Sequence, residues 1–234
     1  MIDACLLAAR PLLAPAFQAW GSPVTWLEIV ACLLGVAMVL ANLRVKPVGW
    51  PLAIASSLLY GLLFVDSKLY GDAGLQVLFV VLAFWGWWQW LRGRGANGGA
   101  LRVRTLGRRG RLIAAAATLA GWPLLGLLLM RATDSDVPFL DALPTVGSIT
   151  GQWLLGRKYV ENWPVWVAVN VVSIGLFAIK GLWLTVLLYA VFALLALAGW
   201  RAWQRLAASD FSLGAARDAA SDGAHEATRG AARG

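Results

Sequence analysis

The stretch WPLAIASSLLYGLLF, residues 50–64, is followed 113 residues later by WPVWVAVNVVSIGLF, residues 163–177. Both stretches open on Trp-Pro, close on Phe and are largely apolar. The same offset aligns further pairs of residues: Phe79 with Phe192, Gly86 with Gly199, Trp90 with Trp203 and Arg44 with Arg157. Apolar segments often match by chance, but Trp-Pro and Gly-Trp-x-x-Trp in one register indicate an internal duplication.

The composition is that of a membrane protein. The chain has 234 residues, of which 60% are hydrophobic and 14% are charged. Soluble domains are usually about 45–50% apolar and about 25% charged. The net charge of +8 comes mainly from arginines between and after the apolar runs. We therefore attribute it to membrane topology and expect a lipid bilayer, and no nucleic acid, as partner.

Seven apolar stretches approach the roughly 20 residues that a helix needs to cross a bilayer. They lie near 27–43, 48–65, 70–91, 112–131, 139–156, 163–180 and 182–203. The fifth carries Asp141, Ser148 and Gln152, so it should face protein or a wet cavity. The sequence predicts an all-α integral membrane protein with seven transmembrane helices in a 3+1+3 arrangement. Residues 26–91 and 139–203 form two three-helix repeats, and the helix at 112–131 makes them parallel.

Besides the short connection at 132–138, three segments lie outside the predicted repeats and their connecting helix. Residues 1–25 are an N-terminal segment, for which an interfacial helix over 4–19 is one interpretation. Residues 92–111 are a basic cytoplasmic linker. Residues 204–234 are rich in Ala, Gly, Ser and charge, so we expect a disordered cytoplasmic tail.

The basic residues predict the orientation. If the seven segments alternate, sixteen Lys and Arg residues fall on one side of the membrane and four on the other. Basic loops stay in the cytoplasm. We therefore expect the N-terminus outside and the C-terminus in the cytoplasm of a multi-pass protein.

Two matching helix faces suggest a binding site. Residues three and four apart share one face of a helix, and the faces of the second and sixth helices combine aromatic rings with hydroxyls and one amide. Transporters with parallel repeats bind their substrate between the halves, and neutral rings attract a cationic ligand ring. The candidate substrate-binding residues on these two faces are Trp50, Ser57, Tyr60, Trp163, Trp166, Asn170 and Ser173. The candidates elsewhere in the chain are Gln76, Trp88, Gln152, Asn162, Trp183 and Tyr189.

Several of these residues have simpler interpretations. Trp50 and Trp163 lie near predicted membrane boundaries, where tryptophan commonly forms a belt. Ser57 and Ser173 could serve only close helix packing. Asn170 needs a partner in mid-helix, which could be another helix rather than a ligand.

Signatures of enzymes are absent from the sequence. The chain has no HExxH, GxSxG or Walker motif, its one histidine is His225 in the tail, and Cys5 and Cys32 lack metal-site spacing. We expect no catalytic residue, metal or cofactor. A membrane enzyme or assembly factor without transport is the alternative from another class.

The combined motifs resemble the PnuC family of vitamin transporters over about residues 26–203. They are the Trp-Pro pairs, the Leu69-Tyr70-x-Asp72-x-x-Leu75-Gln76 segment, both Gly-Trp-x-x-Trp motifs and Glu161-Asn162-Trp163.

The resemblance implies a SWEET-like fold with the substrate between two three-helix bundles, in the bacterial inner membrane. It also implies uptake of nicotinamide riboside for NAD biosynthesis, by facilitated diffusion with trapping by cytoplasmic phosphorylation, and a homotrimer. The family pattern often has an acid where this chain has Asn170. Thiamine, and less so riboflavin, therefore stay as alternative substrates.

Overall fold

The computed structural model describes residues 9–19, 22–66, 70–95, 98–132, 137–179 and 183–231. Within these ranges it describes the side chains other than those of residues 22, 70–72, 184, 210, 211 and 213–231. The described elements are β1 (Pro15–Ala19), β2 (Ser22–Thr25), α1 (Trp26–Leu43), α2 (Gly49–Asp66), α3 (Tyr70–Arg92), α4 (Arg108–Ala132), α5 (Pro138–Gly156), α6 (Asn162–Ile179) and α7 (Trp183–Ala231).

Six of the described helices are long and apolar enough to cross a membrane, and α5 is not among them. The polarity of α5 has a structural reason. It packs against α3, α4 and α6, and its Ser148 and Gln152 side chains are buried. A helix that is surrounded by protein needs no continuous apolar surface.

The N-terminal segment differs from the interfacial helix that was one interpretation of residues 4–19. Residues 9–13 are helical, and β1 and β2 then pair as an antiparallel hairpin. Pro15 and Pro23 have no N–H for a helical hydrogen bond, which favours extended structure here. The hairpin leads directly into α1, whose N-cap Thr25 accepts a bond of 3.1 Å from the Glu28 N–H. Residues 1–8 lie outside the described residues.

The C-terminal segment also differs from the predicted disorder over 204–234. The backbone of α7 continues as helix to Ala231, although only its first part, Thr185–Ser209, is apolar enough for a membrane. Alanine is the strongest helix former, and it is abundant in this segment. A segment whose composition cannot form a hydrophobic core can therefore still form a helix.

The helices pack in two sets of three. In the first set α2 contacts α1 and α3, and in the second α6 contacts α5 and α7. The connecting helix α4 packs mainly on α5. Contacts between α3 and α5 and between α1 and α7 join the sets, so each set touches the other through its first and third helices.

The turns after α1 and α5 have the same backbone structure. Val45 and Lys158, which are 113 residues apart, adopt positive φ values of 54° and 56°. In the first turn the Lys46 N–H bonds the Ala41 carbonyl at 2.9 Å, and in the second the Tyr159 N–H bonds the Leu154 carbonyl at 2.9 Å. Both turns are Schellman motifs, in which a left-handed residue ends the helix and satisfies its last carbonyls.

Candidate functional site

Four tryptophans pack together at the end of the bundle that carries these two turns. We call Trp50, Trp90, Trp163 and Trp203 the tryptophan cluster. The rings of Trp50 and Trp90 meet edge to face at 5.5 Å and 85°, and those of Trp163 and Trp203 at 5.6 Å and 84°. The Trp90 and Trp203 rings lie 6.2 Å apart. Each set of helices contributes one pair, and the two pairs meet in the middle.

Two glycines make room for the large rings. A Cβ atom at Gly86 would overlap the Trp50 indole, and a Cβ at Gly199 would overlap the Trp163 indole. Trp50 and Trp163 are only 1% and 3% exposed. The Gly-Trp-x-x-Trp motif therefore lets the third helix of each set approach the Trp-Pro start of the second helix. These two tryptophans pack against their own set rather than lining an open chamber.

The third helix of each set also bonds the first helix of the other set. Trp90 Nε1 donates to the Leu155 carbonyl at 3.0 Å, and Trp203 Nε1 donates to the Asn42 carbonyl at 3.0 Å. Donors and acceptors are again 113 residues apart. The two bonds are thus exchanged between the sets, and they close this end of the bundle.

The linker between α3 and α4 lies across the same end. Leu101 and Val103 are buried, and Val103 packs into the tryptophan cluster. Arg104 forms a parallel bridge with Tyr159 after α5 and places its guanidinium 4.7 Å from the centre of the Tyr159 ring. The sequence predicted that this linker is basic. It did not predict that the linker's apolar residues Leu101 and Val103 pack against the bundle.

Glu161 and Lys158 attach the linker to the turn after α5. The Glu161 carboxylate accepts from the Leu106 N–H at 3.0 Å and from Arg111 Nε at 2.9 Å. Lys158 Nζ donates to the Leu101 carbonyl at 3.0 Å and lies 4.9 Å from the centre of the Trp90 ring. Burial lowers the pKa of Lys158 from its ordinary value.

A second aromatic group lies further along the helices and involves both sets. We call Tyr60, Phe64, Phe177, Tyr189 and Phe192 the aromatic cluster. The rings of Tyr60 and Phe64 stack with their centres 6.1 Å apart. The Tyr189 ring lies 5.1 Å from that of Phe177 and 6.2 Å from that of Phe192.

The aromatic cluster joins the two sets through α1 and α7. The Phe192 ring lies beside Gly35 of α1. Tyr60 of α2 is close enough to Tyr189 of α7, and to Glu28 and Cys32 of α1, for an electrostatic interaction. The aromatic cluster therefore includes side chains from both sets.

Asn170 and Ser173 extend this surface toward the tryptophan cluster. Both are buried, and together with Phe177 they share one face of α6, because they are three and four residues apart. Asn170 is eight residues from the start of α6, which is about 12 Å along a helix axis and near the middle of a bilayer core of about 30 Å. Neither side chain hydrogen-bonds another of the described residues, so both keep their capacity to bind a ligand.

The remaining candidates are placed at different distances from this surface. The Gln76 stem contacts Gly61, next to Tyr60, and the Trp166 indole packs on Gly151 of α5. Gln152 is buried in α5. Gln76 and Trp166 therefore pack against a neighbouring helix of their own set.

Four candidates are not brought to the aromatic cluster. Trp88 and Trp183 are 54% and 53% exposed, which suits a position facing lipid. Asn162 is fully buried at the start of α6 and donates to the Tyr159 carbonyl at 2.6 Å, so it stabilises the turn. Ser57, counted here because it makes no ring contact, is half-buried and shares one face of α2 with Tyr60 and Phe64, whereas its neighbour Ser56 is buried and bonds the Ala31 carbonyl at 2.8 Å.

Two features of the site have no clear signal in the sequence. Glu28 and Cys32 of α1 lie near Tyr60, and neither is on the two helix faces that the sequence singles out. The exchanged bonds of Trp90 and Trp203 depend on three-dimensional packing. Of the Leu69 to Gln76 motif, Leu69 and the side chains of Tyr70 and Asp72 lie outside the described part of the chain.

Apolar helices, with uncharged rings and a buried amide where their two sets meet, define a multi-pass membrane transporter. The model of the nicotinamide mononucleotide transporter family matches residues 25–205. The chain therefore belongs to this family, in which the PnuC proteins are its relatives.

Individual relatives cover most of the chain. The nicotinamide riboside transporter PnuC of Escherichia coli is 30% identical over 79% of this chain and 87% of its own length. The riboflavin/roseoflavin transporter RibM of Streptomyces davaonensis is 32% identical over 80% of this chain and 89% of its own. A crystal structure of the vitamin B3 transporter PnuC superimposes with a TM-score of 0.66 at 26% identity, covering 79% of this chain and 83% of that one.

Proposed function

We propose that this protein takes up nicotinamide riboside across the bacterial inner membrane by facilitated diffusion. The observation that carries the proposal is the uncharged surface between the two sets of helices, in which the aromatic cluster continues into Asn170 and Ser173. Nicotinamide riboside has a flat cationic ring joined to a ribose. The aromatic rings of the cluster suit the cationic ring of the ligand. The amide of Asn170 and the hydroxyl of Ser173 suit its ribose.

The proposed roles follow from the chemistry of each side chain. Tyr60 and Tyr189 stack on the pyridinium ring, and a desolvated cation–π contact contributes about 2 kcal/mol. Asn170 and Ser173 bond the ribose hydroxyls. Trp166, Gln152 and Gln76 position the helices that carry these groups. None of these residues carries a formal charge, and the nearby carboxyl group of Glu28 adds an attraction for the cation.

The proposed architecture is a SWEET-like 3+1+3 arrangement of seven transmembrane helices. The paired Schellman turns and the exchanged tryptophan bonds support two parallel repeats related by an approximate twofold axis. The burial of α5 supports its crossing the membrane despite its polarity. With seven crossings the N-terminus lies outside and the tryptophan cluster lies on the cytoplasmic side. By resemblance to PnuC proteins we propose a homotrimer.

Net uptake in this proposal comes from metabolism. Facilitated diffusion only equalises the free vitamin on the two sides. Phosphorylation in the cytoplasm adds negative charge, and the neutral aromatic site no longer suits the product. Conversion of the vitamin inside the cell, for the synthesis of NAD, therefore drives accumulation.

Riboflavin is the second candidate substrate, because a riboflavin transporter is among the relatives at 32% identity. It has a larger, neutral ring system and a ribityl chain that could use the same amide and hydroxyl. Thiamine, which also carries a cationic ring, remains an alternative within the same fold.

The test is binding and uptake by purified protein in liposomes, with nicotinamide riboside, thiamine and riboflavin compared. Asn170→Ala should weaken riboside binding by about 10- to 100-fold, since a lost hydrogen bond to a buried polar group costs about 1–3 kcal/mol. Val171→Ala is the matched control, because Val171 is exposed on the next position of the same helix.

Facilitated diffusion has its own test. Liposomes without a gradient should equilibrate the riboside, and only those loaded with a riboside kinase and ATP should accumulate label. Accumulation in empty liposomes driven by a proton or sodium gradient would contradict this mechanism. Equal binding by the Asn170 and Val171 variants would contradict the proposed site.

A further inference from the structure

A cavity lies against a different face of α6 from the one that carries Phe177 of the aromatic cluster. It has a volume of about 540 Å³ and opens between α4, α5 and α6. Small residues on the three helices leave this space, among them Ala115, Gly147 and Ala168. The outer surface of α4 carries exposed apolar side chains such as Leu112 and Leu119, so the cavity opens toward lipid.

The walls of the cavity are suited to hydrocarbon. The hydroxyls of Thr118 and Thr150, which line it, bond each other at 2.8 Å, so neither needs a polar ligand. Pro144 and Val165 add further apolar surface. An acyl chain that enters from the bilayer gains no hydrophobic transfer energy and is held by van der Waals contact with these walls.

One end of the cavity is basic. Arg111 and Glu161 line it there and form an ion pair of 2.9 Å. Arg108 and Arg109 lie within the same turn of α4 and are exposed. Since Glu161 offsets one of the three guanidinium charges, this end keeps an excess of positive charge.

We propose that the cavity binds an anionic phospholipid. An acyl chain lies between α4, α5 and α6, and the phosphate contacts the guanidinium groups of Arg108 and Arg109. Basic pockets between transmembrane helices on the cytoplasmic side suit such head groups. We infer a lipid rather than a second copy of the chain. A second copy would need both an apolar surface that fits the cavity and an acidic group opposite the arginines. It stands independently of the vitamin that is transported.

The test uses the full-length protein in detergent, titrated with phosphatidylglycerol or phosphatidylcholine of identical chains and followed by native mass spectrometry. We expect phosphatidylglycerol to bind at least about tenfold more tightly. The double variant Arg108→Gln/Arg109→Gln should lose this preference. Arg201→Gln/Arg205→Gln removes two exposed arginines from α7 and should keep it.

A second pair of variants tests the cavity itself. Ala168→Phe fills it and should reduce binding of both lipids by about tenfold, whereas Ala116→Phe, at an exposed position of α4 that does not line it, should have no effect. Unchanged binding in Arg108→Gln/Arg109→Gln would overturn the proposal even if Ala168→Phe failed to fold. So would disulfide cross-linking of two copies through Ala115→Cys in phosphatidylglycerol-containing liposomes, which would show that protein covers the cavity.

Discussion

The indole N–H of Trp90 lies 3.0 Å from the carbonyl oxygen of Leu155 and joins the third helix of one set to the first helix of the other. The same carbonyl also accepts from the Lys158 N–H at 2.9 Å. It therefore keeps one partner if the indole is removed.

We expect Trp90→Phe to lower the free energy of unfolding by about 1 kcal/mol for the bond, with a further loss for the smaller ring. Thermal unfolding in detergent should show a lower Tm. Trp88→Phe, two residues earlier and 54% exposed, should change it far less. If the two variants were equally stable, the exchanged bond would contribute nothing.

The two motif glycines should not tolerate a methyl group. Gly86→Ala and Gly199→Ala would each force a Cβ into a tryptophan ring, and such overpacking costs about 1–3 kcal/mol. Gly175→Ala is the control, because nothing lies within 4 Å of a Cβ there and alanine favours helix. Thermal unfolding should rank the Gly175 variant at or above the wild type and both others below it.

Glu161 should control access of protease to the linker. Glu161→Ala removes the acceptor of the Leu106 N–H and the partner of Arg111, so trypsin should cleave the 92–111 linker several-fold faster. Glu161→Gln keeps an acceptor oxygen for the N–H and should be intermediate, because the Arg111 side chain is 59% exposed and such pairs contribute little. Asp66→Asn, at the opposite end of α2, is the control. Equal cleavage of all variants would refute an attachment through Glu161.

Lys158 should give the stability a specific dependence on pH. Burial lowers its pKa below the ordinary 10.5, so between the two values the unfolded chain binds more protons than the folded one. The free energy of unfolding contributed by this group therefore rises with pH across that window. Below the lowered pKa both states are protonated, and the cost of burying the charge is fully present.

Lys158→Met removes this contribution and leaves the other titrating groups. The difference in unfolding free energy between wild type and variant should shift in favour of the wild type as the pH approaches 10.5. Denaturant titrations of both proteins at several pH values measure it. A difference that stays constant would show that the folded and unfolded chains share one pKa.

The aromatic cluster should need a ring at position 189 more than a hydroxyl. Tyr189→Leu loses its edge-to-face and tilted contacts with Phe192 and Phe177 and the proposed stacking on the substrate. Because an aromatic pair contributes about 0.5–1.5 kcal/mol beyond its area, riboside binding should weaken by up to about tenfold. Tyr189→Phe should keep most of the affinity for the riboside. Leu187→Ala, at an exposed position of the same helix, should keep all of it. Identical affinities for the Leu and Phe variants would contradict stacking.

The sequence indicated the helices and the repeat offset, because both depend on local composition and on identical residues in one register. It did not distinguish among the tryptophans. Trp50 and Trp88 both lie near a membrane boundary, yet one is buried and the other exposed. Trp50 is buried because Gly86 of another helix leaves room for its ring. Periodicity along a single helix does not indicate such a contact.

For the candidate site, the sequence predicts which side chains share a helix face. Tyr60, Asn170, Ser173 and Tyr189 lie on or beside one surface, because residues on one helix face stay together when the helix packs. Trp183 and Asn162 do not join it. Their positions are determined by how a helix end is oriented, and hydrophobic patterns specify helix ends poorly.

The exchanged bonds of Trp90 and Trp203 bear on how such a chain could have arisen. A single three-helix unit would carry both the indole donor on its third helix and the carbonyl acceptor on its first, and could satisfy neither by itself in this geometry. Two separate units side by side would each supply what the other lacks. An ancestral homodimer would thus already have had the central junction of the present protein, and gene fusion would have required only one added helix to keep both units in the same direction.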